Sequence, residues 1–295
     1  MSRIALLSDV HGNLQALQRV RRDVAQQGIE RMVCLGDLAS YNADQHACME
    51  YVVGEKIEWI AGNHDLIAAG LLNPVRCGPQ ARYSASKARR AMTAAWRRHI
   101  RQLPLILADD VLAGFHASPR RVDEYLLSEP RVRSAFAELQ ARGLPDVAFF
   151  GHTHDSCVWT LRGAVLERRE GQRLALDPGG RHLVNVGTVG EPRDGSPLAT
   201  YVVYDADART VEFRRLEYDH RVARQRSESG GWRRVDPGWC TRLYDHFRRR
   251  TVQLRSRLLP LPADDSALEA ICRRQERLRG QGPAQGAGCN SAADL

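Results

Sequence analysis

The sequence predicts an α/β protein in which two β-sheets pack together with helices on the outside. Three observations carry this expectation. Apolar strand-like runs alternate with helical patterns over the first 65 residues, and strands then follow one another up to residue 217. In addition, seven residues able to bind metal fall directly after predicted strands.

The first strand is Ile4-Ala5-Leu6-Leu7, which ends in the polar turn Ser8-Asp9-Val10-His11-Gly12-Asn13. Leu14, Leu17, Val20 and Val24 then recur at helical spacing, and Gly28 stops the helix. Arg31 to Leu35 form a second strand running into Gly36-Asp37, and a helix follows over 44–54. The third strand, Ile57 to Ala61, runs into Gly62-Asn63-His64-Asp65. Three β-then-α units predict a parallel sheet covered on both faces, and such sheets bind ligands beyond the carboxyl ends of their strands. Asp9, His11, Asp37, Asn63 and His64 all fall there. With extended backbone, Asp9 and His11, two positions apart, point to one side.

Residues 80–102 read as one Arg-rich helix that ends before Pro104. Strands are expected at Leu105–Leu107 and Val111–Phe115, the second ending at His116, with a helix over 130–142. Asp146 to Phe150 form another strand, running into Gly151-His152-Thr153-His154. Further strands at 156–161, 182–186, 199–205 and 209–217 imply a second sheet packed on the first. The chain divides into one domain over 1–219, a basic, mainly helical extension over 220–279, and a Gly- and Ala-rich tail over 280–295 expected to be disordered.

Composition bounds the function. The 295 residues are 43% hydrophobic and 26% charged, ordinary for a globular protein. No apolar run approaches the roughly 18 residues of a membrane span, and no signal-peptide pattern opens the chain. The seven cysteines form no C-x-x-C pair, which argues against a disulfide framework or zinc knuckle and suits a reducing cytoplasm. The net charge of +8 is unevenly spread: residues 1–219 carry 28 basic and 27 acidic side chains, whereas 220–257 carry 11 arginines and 3 acids. Trp239, Leu243, Phe247, Leu254 and Leu258 sit among those arginines at helix-like spacing. A basic amphipathic helix there suits nucleic acid, an acidic surface, or simple docking of its apolar side on the core.

The strand ends together offer Asp9, His11, Asp37, Asn63, His116, His152 and His154: two carboxylates, one carboxamide and four imidazoles. Singly, each histidine reads as a surface or core residue; jointly, their placement after strand after strand points to a metal centre. The set is too large for one tetrahedral zinc and suits two ions sharing a carboxylate. Mixed imidazole and carboxylate ligands favour Mn, with Fe, Zn, Ni or Co as alternatives, over Mg or Ca. Two such ions about 3.5–4 Å apart form a clamp for in-line displacement at phosphorus. Water held by both ions supplies hydroxide near neutral pH, and a general acid beside the centre protonates the leaving oxygen. The Asp65 carboxylate next to His64 would raise the pKa of that imidazole and favour its acid form.

These motifs, Asp9-Val10-His11, Gly36-Asp37, Gly62-Asn63-His64-Asp65, His116 and Gly151-His152-Thr153-His154, resemble the D-x-H, G-D, G-N-H-[DE], H, G-H-x-H set of the calcineurin-like metallophosphoesterase superfamily. The resemblance covers residues 3–219 and implies a four-layer α/β/β/α sandwich of two mixed sheets flanked by helices. By it, Asp9, His11 and His154 hold one ion, Asn63, His116 and His152 hold the other, and Asp37 bridges. His64 is then the proton donor, oriented by Asp65.

Gly36-Asp37-Leu38 lacks the Asp-Arg that follows this motif in Ser/Thr protein phosphatases and symmetrical diadenosine-tetraphosphate hydrolases. His116-Ala117-Ser118-Pro119 and the stretch from Asn185 to Gly195 look instead like the small bacterial phosphoesterases with H-G-S-P and N-P-G-S-V-G-x-P-R-D-G loops. Ala117, Val186, Thr188 and Glu191 depart from that pattern but spare every ligand. Arg193 is a candidate phosphate contact, and Tyr41 and Tyr125 are candidates to stack on a ring of the substrate or to line the rim. The expected activity is hydrolysis of a phosphodiester or nucleotide-like phosphate. The alternatives are a nuclease or RNA-end phosphatase that holds its backbone through 220–257, and a non-catalytic scaffold.

Overall fold

The structure is a computed structural model that describes residues 3–232. The amphipathic helix expected over 239–258, the helix at 265–279 and the tail over 280–295 lie outside those residues.

In chain order, β1 (Arg3–Leu7), α1 (Leu14–Gln26), β2 (Arg31–Cys34), α2 (Gln45–Gly54), β3 (Glu58–Trp59) and α3 (Asn63–Ala69) follow the expected alternation. Next come α4 (Pro79–Ala91), α5 (Ala94–Gln102), β4 (Ile106–Ala108), β5 (Ala113–Phe115), α6 (Glu129–Ala141) and β6 (Val147–Phe150). The second half adds β7 (Cys157–Arg162), β8 (Val165–Arg169), β9 (Arg173–Ala175), β10 (Arg181–Asn185), β11 (Ala199–Asp205), β12 (Thr210–Leu216) and α7 (His220–Ser229).

The strands form two six-stranded mixed sheets, ordered β3-β2-β1-β11-β12-β9 and β4-β5-β6-β10-β7-β8. Pairing is parallel among β1, β2 and β3 and between β6 and each of β5 and β10, and antiparallel elsewhere. Strand alternation sorts the side chains into layers. Ile4 and Leu6 of β1 join Val147 and Phe149 of β6 and Val202 and Tyr204 of β11 between the sheets. Ala5 and Leu7 face the other way, against Leu17, Val20 and Met49 of α1 and α2. On the outer face of the second sheet, Ala148 and Phe150 pack on Val132, Phe136 and Leu139 of α6. The result is the four-layer sandwich, in which each sheet is covered by helices on one face and by the other sheet on its second face.

Two readings change. The single helix expected over 80–102 is two: α4 stops at Met92, whose φ and ψ are extended, and Thr93 caps α5 by accepting from the Trp96 N–H at 3.2 Å. The break turns Trp96 and Ile100 into the core under α3. β8 and β9 were not expected, because their burial is slight and arginines interrupt them. Beyond Asp219, α7 lies against α1, and Trp232 is buried in the same core cluster as Leu17 and Trp96.

Candidate metal centre

Five of the seven strand-end residues have left-handed backbone: Asp9 (φ 57°), His11 (51°), Asp37 (59°), His152 (64°) and His154 (61°). Such conformations cost on the order of 1 kcal/mol or more for a side chain with a Cβ, and they cluster at functional sites. Here they fold each chain segment sharply back at its strand end. Asp9 and His11 therefore meet through a turn, and not through the extended geometry that their spacing suggests.

The side chains converge in two buried groups, Asp9–His11–His154 and Asp37–His116–His152, each with its possible ligand atoms within 4.8 Å of one another. Asp9 Oδ1 lies 3.5 Å from His11 Nε2 and 3.1 Å from His154 Nε2. Asp37 Oδ2 stands between the groups, 3.8 Å from His11 Nε2 and 3.2 Å from His116 Nε2. Asn63 Oδ1 is 3.0 Å from His116 Nε2, on the second group. All seven expected ligands thus surround one centre.

Outer contacts fix which atoms face inward. The Nδ1 atoms of His11, His116 and His154 meet the carbonyl oxygens of Ala39, Leu35 and Glu191 at 3.0, 2.8 and 2.6 Å. An Nδ1–H that donates to a carbonyl leaves Nε2 as a bare lone pair. Each carboxylate likewise spends one oxygen on backbone: Asp9 Oδ2 accepts from the His152 N–H and Asp37 Oδ1 from the His64 N–H, both at 2.8 Å. The remaining Asp9 Oδ1, Asp37 Oδ2 and His152 Nε2 are buried with no hydrogen-bond partner. Acceptors aimed at one another without protons between them repel, so the arrangement holds together around cations. This donor set fits two divalent ions.

The electrostatics agree. Burial alone would lower the His116 pKa, but the charge of Asp37, whose Oδ2 lies 3.2 Å away, raises it to about 9. His11 is raised similarly: burial opposes the shift, and Asp9 and Asp37 drive it. Burial pushes Asp9 and Asp37 upward, yet the surrounding histidines hold both carboxyls well below the usual range. The pocket thus stabilises positive charge at these positions, from a proton or a metal.

Asp65 does not orient His64. Its Oδ2 accepts from the N–H groups of Asp37 (2.8 Å) and Gly62 (3.0 Å), and its Oδ1 accepts from Ala39 N–H (3.0 Å). It clamps the Asp37 turn to the start of α3. His64 Nδ1 is buried without a partner, and the imidazole is pushed down to about 3, first by burial, with Asp37 only partly offsetting it. The expected raising of its pKa by Asp65 is therefore reversed.

Around the centre, the Tyr41 ring lies 4.6 Å from His11 and 5.1 Å from His64, and the Tyr125 ring lies 4.0 Å from His152. Half-buried Arg193, on the loop after β10, brings its charge among Tyr41, Tyr125, Glu191 and Asp9. Of the two aromatic candidates, the Tyr125 ring is the nearer to a metal-facing histidine. The clamping role of Asp65 and the three carbonyl contacts left no residue-type signal to find.

Gly151 permits this packing. A Cβ there would strike Ser8 Oγ and Asp9 Oδ2, so Gly151→Ala displaces a carboxylate aimed at the centre. Misplaced support for a ligand typically costs about 10–100-fold in metal affinity or activity. Metal titration by calorimetry should show that loss, with the fold retained by circular dichroism.

Comparison with known proteins agrees with this geometry. Residues 2–209 match the calcineurin-like phosphoesterase superfamily domain. An uncharacterised protein of Methanocaldococcus jannaschii is 31% identical over 231 residues, spanning 75% of this chain and 90% of that protein. The crystal structure of a metallophosphoesterase from Sphaerobacter thermophilus superposes with a TM-score of 0.64 at 28% identity, covering 78% of this chain and 94% of the other. A hypothetical protein from Pyrococcus horikoshii shares the fold, with a TM-score of 0.63 at 18% identity over 79% and 94% of the two chains. With the domain match spanning more than half of its length and every metal-facing motif gathered at one centre, the chain belongs to the calcineurin-like phosphoesterase superfamily, as a metal-dependent phosphoric ester hydrolase.

Proposed function

We propose that the protein hydrolyses a small phosphodiester or nucleotide-like phosphate, with Asp9, His11 and His154 holding one divalent ion, Asn63, His116 and His152 holding a second, and Asp37 shared between them. The observation that supports this most directly is the set of buried, unpartnered acceptors, Asp9 Oδ1, Asp37 Oδ2 and His152 Nε2, aimed at one centre. When bound, a pair of divalent ions supplies Lewis acidity and an activated water for attack at phosphorus. Mn is the ion we propose, because the mixed nitrogen and oxygen donors suit a borderline metal better than Mg or Ca.

The chain's own groups do the rest. Asn63 presents Oδ1 inward, so its NH₂ is left to donate to a phosphoryl oxygen. Arg193 supplies a permanent cation for the equatorial phosphoryl oxygens, and Tyr41 walls the same space. His64 gives a proton to the leaving oxygen. Since Asp65 is committed to backbone and Asp37 only partly offsets burial, the phosphoryl group arriving with the substrate adds the negative charge that stabilises protonated His64. Among the described residues no helix is long and apolar enough to cross a membrane, and the absence of C-x-x-C pairs suits the reducing cytoplasm we assign.

The test is a chelator-stripped preparation reloaded with Mn²⁺ and offered bis-p-nitrophenyl phosphate, p-nitrophenyl phosphate and dinucleotides. Metal-dependent hydrolysis of the diester or a dinucleotide is expected. Hydrolysis of the monoester alone overturns the substrate class, and no turnover with Mn, Fe, Zn, Ni or Co overturns the activity.

A further inference from the structure

Between Asp65 and Asp109 the sequence contains no acidic residue but eight basic ones, Arg76, Arg82, Lys87, Arg89, Arg90, Arg97, Arg98 and Arg101. The rest of residues 1–219 carries 20 basic and 27 acidic side chains, so the remainder of the domain is net acidic and this one stretch holds its positive charge. Seven of the eight, all but Arg76, lie on α4 and α5, which turn inward Ala81, Ser84, Ala85, Ala88, Trp96 and Ile100. Arg82, Arg89, Arg90, Arg98 and Arg101 are exposed.

None of the arginines on α4 and α5, nor Lys87, pairs with a described carboxylate, whereas Arg31, Arg120, Arg142, Arg168 and Arg214 elsewhere all do. Their contacts are with carbonyls instead. Arg97 donates to Ala68 O at 3.2 Å, Met92 O at 3.3 Å and Arg89 O, which ties the ends of α3, α4 and α5 together. The guanidinium groups of Arg89 and Arg97 both approach Gly70, at the end of α3. Two cations are thus held side by side with no carboxylate partner among the described residues. Helix C-terminal placement accounts for a few tenths of a kcal/mol at Arg89, Arg90 and Arg101. It does not account for the exclusion of every acid from the hairpin.

The hairpin also packs on elements that carry the metal centre: α3, which begins with Asn63 and His64, lies against α4 and α5, and Ser84 of α4 hydrogen-bonds Ser40, the chain neighbour of Tyr41, at 2.8 Å. α4 is 13 residues long, about 20 Å at 1.5 Å per residue, enough to lie along several phosphates of a single strand.

We propose that the α4–α5 hairpin is a docking face for the phosphate backbone of single-stranded nucleic acid, which it guides toward the metal centre past Tyr41. A row of arginines with no described carboxylate partner suits a regularly charged polyanion, and the phosphodiester is the group that the neighbouring centre is proposed to cleave. The guiding role rests on the proposed phosphodiesterase activity; the binding face does not. It also places the strand on α4 and α5, and not on the Arg-rich residues 220–257.

The test uses the full chain and a fluorescein-labelled 20-nucleotide oligo(dT), followed by anisotropy from 50 to 300 mM salt in EDTA so that no cleavage occurs. The quadruple variant Arg89→Gln, Arg90→Gln, Arg98→Gln, Arg101→Gln is compared with a charge-matched control, Arg133→Gln, Arg142→Gln, Arg162→Gln, Arg181→Gln. At about 0.7 per neutralised phosphate, removing four contacts should lower the log–log salt slope by about 3 and weaken binding at least tenfold at 50 mM. The control should shift far less. Hydrolysis of bis-p-nitrophenyl phosphate by the hairpin variant should stay at the wild-type rate, because none of the four residues lies at the centre. If the quadruple variant does not fold, the pair Arg90→Gln, Arg98→Gln should give half the slope change. No oligonucleotide binding by the wild type, an unchanged slope in the hairpin variant, or an equal loss in the control each overturns the proposal. Binding lost only on replacing arginines in 248–257 does so as well. A wild type that binds oligo(dT) but cleaves no phosphodiester with metal would sink the activity and leave the docking face standing.

Discussion

Asp37→Asn lowers kcat/KM by about 10³-fold or more and reduces the bound metal from two ions per chain toward one. The substitution keeps the shape and leaves an oxygen for the His64 N–H, which now holds Asp37 Oδ1 at 2.8 Å. It removes the negative charge between His11 Nε2 and His116 Nε2, 3.8 and 3.2 Å away. Without that charge nothing shared by both groups offsets the repulsion of two divalent ions. An ion that polarises a phosphoryl oxygen is worth several kcal/mol of transition-state stabilisation, and about 1.4 kcal/mol is tenfold in rate. Elemental analysis after gel filtration gives the stoichiometry, and steady-state kinetics with added Mn²⁺ gives the rate. Wild-type turnover with two ions retained would show that Asp37 is not the shared ligand.

His64→Asn lowers kcat by about 10²–10⁴-fold on a dinucleotide while leaving metal content unchanged. The side chain is buried among Tyr41 and His11, makes its backbone contact through N–H, and leaves Nδ1 without a protein partner. A proton donor matters most when the departing oxygen is a poor leaving group. The loss should therefore shrink to a few-fold on bis-p-nitrophenyl phosphate, whose phenolate departs without help. An equal loss on both substrates assigns His64 to holding the phosphoryl group and removes it as the acid. Because burial sets the free imidazole at about 3, protonation in this account is linked to substrate binding. Binding of a dinucleotide near neutral pH should therefore be accompanied by net proton uptake that His64→Asn abolishes, measurable by calorimetry in buffers of different ionisation enthalpy.

The sandwich was legible because strand ends carry their own punctuation. Apolar runs such as Ile4–Leu7 and Val147–Phe150 stop at Ser8-Asp9 and Gly151-His152, and the same boundaries carry the metal-facing residues. The break between α4 and α5 was harder to see. No Gly or Pro marks it, and Thr93 reads as a cap only once Trp96 is known to face the core. β8 and β9 were hidden because their residues are largely exposed, so no alternation of buried and polar positions marks them.

By itself the sequence determined which residue types meet: two carboxylates, a carboxamide and four imidazoles, each at the end of a strand whose polarity was clear from the elements around it. Only the tertiary structure decided how they meet. The left-handed turns at Asp9, His11, Asp37, His152 and His154 depend on neighbours such as Gly62 and Gly151, which let the backbone pass within reach of the carboxylates. It also decided that Asp65 serves three backbone N–H groups and not His64. Adjacent residues on a helix point to different sides, and which side a carboxylate faces depends on the elements packed around it. Buried N–H groups claimed this one first, because an unmet buried donor costs more than an unassisted imidazole.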